Sequence, residues 1–199
     1  MSVNIAVVIL GYLSGSIASA LLISRLLGLE DPRGKGSGNP GATNMLRLYG
    51  KKAAVLTLAG DVLKGLLPVL LAVLLGLPPA IIALTGLAAF TGHLYPVFFG
   101  FRGGKGVATL VGILFGTHWL AGLVFCGTWL LTAAISRYSS LSSLLASALS
   151  PLYVWLILEE PAYIYAFGLM AVLLFWRHRD NIRNLMNGTE GKLGVRSKE

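Results

Sequence analysis

The sequence predicts an all-α, polytopic integral membrane protein with about seven transmembrane helices, its N-terminus outside and its C-terminus cytoplasmic. Three observations lead there. Of the 199 residues, 55% are hydrophobic and only 12% charged, against roughly 25% charged in an ordinary soluble domain. The apolar residues arrive in runs of the length that crosses a bilayer, roughly 20 residues. Lysines and arginines gather beside alternate runs, as in cytoplasmic loops. The chain, 1–199, reads as one membrane-embedded domain. A single cysteine, Cys126, lies in an apolar run, so neither a disulfide framework nor a four-ligand metal site is expected.

The first run is Val3 to Leu29, followed by Ala53–Gly76, Pro79–Phe99, Val107–Gly116, Thr117–Ile135, Tyr138–Leu158 and Ala162–Trp176. The first is not a cleaved signal peptide. Ala18-Ser19-Ala20 imitates a cleavage site, but no basic residue precedes the stretch and it continues well beyond. Arg33, Lys35, Arg47, Lys51 and Lys52 follow the first run, and Arg102 and Lys105 the third. Arg177, Arg179, Arg183, Lys192, Arg196 and Lys198 follow the last, which places all three stretches on the cytoplasmic side. Parity holds only if residues 107–135 are split near Gly116-Thr117-His118. The fourth segment is then short for a hydrocarbon layer of ~30 Å at a rise of ~1.5 Å per residue. Gly11/Gly15 and Gly112/Gly116 have the spacing of close helix contacts. Pro68 and Pro151 are expected to kink their helices.

Nearly all the polar content lies in three stretches. In the first, Gly36, Gly38 and Gly41 allow backbone N–H groups to converge on an anion, with Ser37, Asn39, Thr43, Asn44 and Arg47 as side-chain donors. The alternative is a flexible glycine loop. Gly36-x-Gly38-x-x-Gly41 matches the dinucleotide fingerprint formally, but it follows a membrane helix and has no βαβ unit around it. A short interfacial helix is expected over Asn44–Tyr49.

The second stretch, Gly103-Gly104-Lys105-Gly106, opens a helix that continues through Thr109, so free N–H groups, a helix dipole and Lys105 face one place. It is not a Walker loop, because Phe99 stands where glycine is needed and Gly106 where a magnesium-binding hydroxyl is needed. His93 reads equally as a packed histidine and as a base. In the third stretch, His178, Asn181 and Leu185 share a helical face, with Arg177, Asp180 and Arg183 nearby. Membrane-surface anchoring is the competing reading of these charges. Asp61 and Lys64, three apart within an apolar run, are costly at such depth and read either as a structural ion pair or as part of a site.

Several chemistries are absent from the pattern. No histidine is followed by an acid in the spacing His-x4-Asp, since positions 98, 123 and 183 are Phe, Leu and Arg. There is no Gly-x-Ser-x-Gly elbow and no carboxylate cluster for two-metal chemistry. No cofactor and no metal are expected. The net charge of +8 fits cytoplasmic loops and anionic ligands, with no nucleic acid implied.

Taken in order, four motifs resemble the bacterial acyl-phosphate:glycerol-3-phosphate acyltransferase family, PlsY. They are Gly36-Ser37-Gly38-Asn39-Pro40-Gly41-Ala42-Thr43-Asn44 with Arg47, then Gly60-Asp61-x-x-Lys64-Gly65, then Gly92-His93-x-x-Pro96 with Gly103-Gly104-Lys105-Gly106-Val107-Ala108-Thr109, and finally His178-x-x-Asn181-x-x-Asn184 with Gly188-Thr189-Glu190. The resemblance implies transfer of a fatty acyl group from acyl phosphate to the 1-hydroxyl of glycerol-3-phosphate, giving lysophosphatidic acid and phosphate. It further implies a bacterial cytoplasmic membrane location and a soluble phosphate acyltransferase as supplier of the donor.

The expected roles follow from setting the residues beside that reaction. Ser37, Arg47, Lys105, His178 and Asn181 are the candidate catalytic residues. Gly36, Gly38, Asn39, Thr43, Asn44, Lys64, His93, Gly103, Gly104, Gly106, Thr109, Arg177 and Arg183 are the candidate binding residues for glycerol-3-phosphate and long-chain acyl phosphate. Membrane lipid surrounds the acyl chain. The rival reading is a transporter or flippase for anionic metabolites or lipids.

Overall fold

The computed structural model describes residues 2–194, all of whose regular structure is helical. Arg196 and Lys198 of the expected basic tail lie outside the described residues. The order is α1 (Val3–Gly15), α2 (Ser19–Leu26), α3 (Ala42–Leu74), α4 (Pro79–Leu94), α5 (Val107–Thr117), α6 (Trp119–Ser136), α7 (Ser139–Leu158), α8 (Pro161–Arg177) and α9 (Arg179–Met186). Two short 3₁₀ turns, Pro32–Gly34 and Val97–Phe99, punctuate the loops after α2 and α4.

Four helical stretches are long and apolar enough to cross a membrane: 42–74, 79–99, 119–136 and 139–158. The bent pair α1 and α2 makes a fifth, while α5 and α8 are shorter apolar helices. The chain buries Phe90, Leu94, Leu110, Leu114, Phe125, Phe167 and Met170 in one core. It also turns large apolar side chains outward, among them Leu26, Leu74, Ile135 and Val172, each at least 65% exposed. Water would not tolerate that coat, and lipid requires it.

The expected split of residues 107–135 occurs at His118, whose extended backbone (φ −159°, ψ 125°) ends α5 and caps α6. The first run is not one helix. It breaks over Ser16–Ala18 with a 49° bend, and the Ile17 carbonyl freed there accepts a hydrogen bond from the Lys64 ammonium at 2.8 Å. Pro68 and Pro151 lie inside α3 and α7, but the residue that leaves helical geometry in α3 is Gly50 (φ 82°, ψ −173°). Only glycine adopts that backbone cheaply. The short helix expected up to Tyr49 therefore ends there, and the spanning part begins at Lys51.

Small residues set the helix separations. A Cβ at Gly15 would strike the Ala89 backbone of α4, and one at Gly112 would strike Val62 and Leu66 of α3. Neither neighbour is a side chain that can swing away. Gly112→Ala is expected to destabilise the fold by about 1–3 kcal/mol. Gly127→Ala, in α6 with open space around it, should be neutral or slightly stabilising. Thermal unfolding of the two variants in detergent checks the contrast.

Candidate active site

The first glycine stretch is shaped by its own asparagine. Asn44 is 1% exposed. Its Nδ2 donates to the carbonyls of Pro32 and Lys35, both at 3.2 Å, and its Oδ1 accepts the Ser37 N–H at 3.1 Å. Its donors and acceptor are committed to folding the loop. Ser37 is left exposed at the tip, Asn39 packs over Gly41, and Thr43 Oγ1 lies 3.4 Å from Ser139 Oγ at the start of α7. Lys35 pairs with Glu30. Arg33, ion-paired to Asp31 at 2.7 Å, reaches the Phe99 carbonyl and ties this loop to the segment after α4.

The second stretch corrects another expectation. The N–H groups of Gly103 and Gly104 are not free: they donate to the carbonyls of Leu94 and His93, each at 3.2 Å. The carbonyls of Gly103 and Gly104 accept in turn from Arg177, at 2.8 Å from Nη2 and 3.1 Å from Nε. Arg177, expected to bind phosphate, uses Nε and Nη2 to clamp this turn. Its guanidinium also lies 5.8 Å from the centre of the Tyr95 ring. The α5 hydrogen-bond ladder begins with Leu110 N–H donating to the Gly106 carbonyl at 2.8 Å. Any anion-binding N–H groups here belong to the residues just before Leu110, at a helix start. Gly106 (φ 92°) sits where a Cβ would strike the Phe90 ring.

Lys105 emerges from this turn and reaches Asn181 Oδ1 in α9. Asn181 Nδ2 donates to Glu190 Oε1 at 2.8 Å, and Ser140 Oγ donates to the same oxygen at 2.6 Å. Arg47, exposed on the first turns of α3, donates to the Gly191 carbonyl at 3.2 Å. Residues from α3, α7 and α9, with the segment after α9, therefore meet around Lys105. Burial pushes the Lys105 ammonium below its ordinary pKa, opposed by the Glu190 and Asp180 carboxylates and reinforced by Arg177 and Arg47. Arg183 is exposed on α9.

His178, 3% exposed between α8 and α9, lies 2.9 Å through Nδ1 from the Leu174 carbonyl. A carbonyl only accepts, which puts the proton on Nδ1 and the lone pair on Nε2. Burial lowers its pKa to about 4, against the pull of the Leu174 carbonyl. The imidazole is neutral at physiological pH.

Deeper in the bundle, Lys64 Nζ lies 2.8 Å from Asp61 Oδ1, and His93 Nδ1 lies 3.6 Å from the same oxygen. Thr109 Oγ1 is 3.1 Å from His93 Nδ1. Thr109 is fully buried, and its hydroxyl faces His93. Asp61, Lys64, His93, Pro40, Gly103 and Gly104 border a cavity of about 10 Å³, room for about one water. The two glycine stretches meet at its rim.

Sequence reasoning missed Glu190 and Ser140 as members of the Lys105 network. The Gly188-Thr189-Glu190 motif marked the neighbourhood, but nothing in it tells a bonded glutamate from a solvated one.

Comparison with known proteins adds the following. A family described as glycerol-3-phosphate acyltransferase matches residues 5–188. The glycerol-3-phosphate acyltransferase of Thioalkalivibrio sulfidiphilus is 55% identical over 193 residues, 97% of this chain and 95% of its own. That of Methylococcus capsulatus is 54% identical over 185 residues, 93% of each chain. The crystal structure of PlsY, an integral membrane glycerol 3-phosphate acyltransferase, in its glycerol 3-phosphate form superposes with a TM-score of 0.92 at 39% identity, covering 97% of this chain and 96% of that one. The lysophosphatidic acid form gives a TM-score of 0.90 at 38% identity, with the same coverage.

Proposed function

Since the chain belongs to the glycerol-3-phosphate acyltransferase family, we propose that it transfers a fatty acyl group from acyl phosphate to the 1-hydroxyl of sn-glycerol-3-phosphate. The products are lysophosphatidic acid and inorganic phosphate, the first acylation of phospholipid synthesis. The observation that carries this reading is the convergence of Arg47, Lys105, Asn181 and His178 from separate parts of the chain. Two phosphorylated substrates, each bearing close to two negative charges, require such a concentration of cations and donors.

Attack is direct, without an acyl-enzyme. Cys126 lies half-buried in α6, and among the described residues no histidine or carboxylate hydrogen-bonds the Ser37 hydroxyl. An activated nucleophile needs such a partner. An acyl phosphate already carries a good leaving group, so positioning and charge stabilisation suffice. Arg47, Lys105 and Arg183 neutralise phosphate oxygens, and Ser37 and Asn181 hold the acyl carbonyl or donor phosphate. His178, with a pKa of about 4, is poorly matched to removing a hydroxyl proton near neutrality. The proton passes instead to the donor's own phosphate, which becomes the stronger base as its bond to the acyl carbon breaks and it departs as inorganic phosphate, while His178 Nε2 orients the hydroxyl.

The chain is one acyltransferase domain spanning the bacterial inner membrane seven times, with α1 and α2 together as the first span and the short α5 as the fourth. Its N-terminus lies outside and its site faces the cytoplasm. The bonds from Arg47 to Gly191 and from Lys105 to Asn181, with Arg137 and Leu193 joined in both directions, support that sidedness. They require the four connecting regions to share one face. A soluble phosphate acyltransferase supplies the donor.

The test uses purified protein in detergent or lipidic mesophase with glycerol-3-phosphate and long-chain acyl phosphate, following release of phosphate and lysophosphatidic acid, with acyl-CoA in a parallel reaction. Product from acyl phosphate alone is expected. Product only from acyl-CoA would refute the donor assignment. Binding of glycerol-3-phosphate without product from either donor would favour the transporter.

A further inference from the structure

We infer that His93 is a positioning residue. With Asp61, Lys64 and Thr109 it forms a buried polar brace that fixes the Gly103–Gly104 turn and, through it, the Lys105 ammonium.

His93 meets its neighbours through both ring and backbone. Nδ1 faces Thr109 Oγ1 at 3.1 Å and Asp61 Oδ1 at 3.6 Å. Nε2 lies against Gly104, so close that a Cβ there would collide with the ring. The backbone carbonyl of His93 accepts the Gly104 N–H, and that of Leu94 accepts the Gly103 N–H. One residue thus contacts the turn through both its ring and its backbone. At 6% exposure, the ring borders a cavity with room for about one water.

The brace is itself anchored at a distance. Asp61 holds the Lys64 ammonium at 2.8 Å, and Lys64 donates to the Ile17 carbonyl exposed by the break between α1 and α2. Asp61 and Lys64 are 2% and 5% exposed. Burying two charges costs several kcal/mol that their attraction barely recovers, and an apolar pair of similar volume is often at least as stable. Stability alone therefore gives little reason for them. The brace does supply rigidity where α3, α4 and α5 meet. On the other side of the turn, Arg177 grips the Gly103 and Gly104 carbonyls, so Lys105 leaves a peptide segment held from two directions. A displacement of about 1 Å in such a group costs on the order of 100-fold in rate.

This inference rests on the acyltransferase reading, so the test pairs kinetics with calorimetric binding of glycerol-3-phosphate, which needs no turnover. His93→Ala, His93→Asn and Thr109→Val are compared with the unaltered chain, whose own activity tests that reading separately. Asparagine places an amide nitrogen close to where Nδ1 stands. His93→Ala is expected to raise KM and Kd for glycerol-3-phosphate about tenfold or more, while His93→Asn returns both to within about threefold and leaves the pH–rate profile unshifted. Thr109→Val, which removes only the hydroxyl, should weaken binding about threefold and carries the test if His93→Ala does not fold. The inference is overturned if His93→Asn is as defective as His93→Ala and loses a limb of the pH profile, which would make His93 an acid–base catalyst. It is equally overturned if His93→Ala, or Thr109→Val in its place, binds and turns over like the unaltered chain.

Discussion

Lys105→Met is expected to lower kcat/KM for glycerol-3-phosphate by about 10²–10³-fold, the cost of removing one preorganised charge from a transition state. Lys105 is well suited to supply that charge. Its ammonium is half-buried beside Asn181 Oδ1, and the Glu190 carboxylate behind it is already held by Asn181 and Ser140. Burial lowers its pKa, which marks an ammonium poor in water and ready to gain from an incoming phosphate. The competing explanation is that Lys105 merely balances Glu190. Lys105→Met with Glu190→Gln separates the two. Restored activity in the double variant would reduce Lys105 to a counter-ion, whereas the expected result is a double variant as inactive as Lys105→Met, with folding verified by unfolding temperature.

Where sequence and structure agree, the signal was local. The helix break near residue 117 followed from charge parity, and the backbone there does turn extended at His118. The short helix ahead of Lys51 ends at a glycine that takes a positive φ. Asp61 and Lys64, three apart on one helix, do pair. The glycines spaced for close helix contact, Gly11/Gly15 and Gly112/Gly116, do make such contacts, with α4 and α3 as their partners.

Where they part, the deciding partner lies far along the chain. Arg177 grips carbonyls 73 and 74 residues away, and Thr109 turns to a histidine 16 residues before it. A sequence shows that a donor exists, not whether backbone or ligand takes it. Asn44 shows the same ambiguity at short range: a loop rich in glycine has few internal constraints, so one asparagine must fold it, and its donors are spent doing so. The bend at Ser16–Ala18 lacked a proline to announce it. Its reason is the Lys64 ammonium that needs the Ile17 carbonyl.

His178 carries the other large prediction, and it joins stability to mechanism. Folding lowers its pKa from 6.5 to about 4, so the native state prefers the neutral ring. The stabilisation from keeping it neutral is fully present above the unfolded pKa of 6.5 and is lost as pH falls through about 4. The loss amounts to about 3 kcal/mol. His178→Asn has no proton to gain, so its unfolding temperature should fall less between pH 7.5 and pH 4 than that of the unaltered chain. An equal fall in both would show that the ring gains its proton without cost. The same pKa governs the chemistry. If the donor phosphate takes the hydroxyl proton, the acid limb of the pH–rate profile belongs to the substrate and survives in His178→Ala, which should lose less than about 100-fold in kcat. A limb near pH ~4 that vanishes with a loss beyond that would make His178 the base. The expected survival of the limb follows from burial: the contacts that keep His178 neutral and oriented also make it too weak a base for the step.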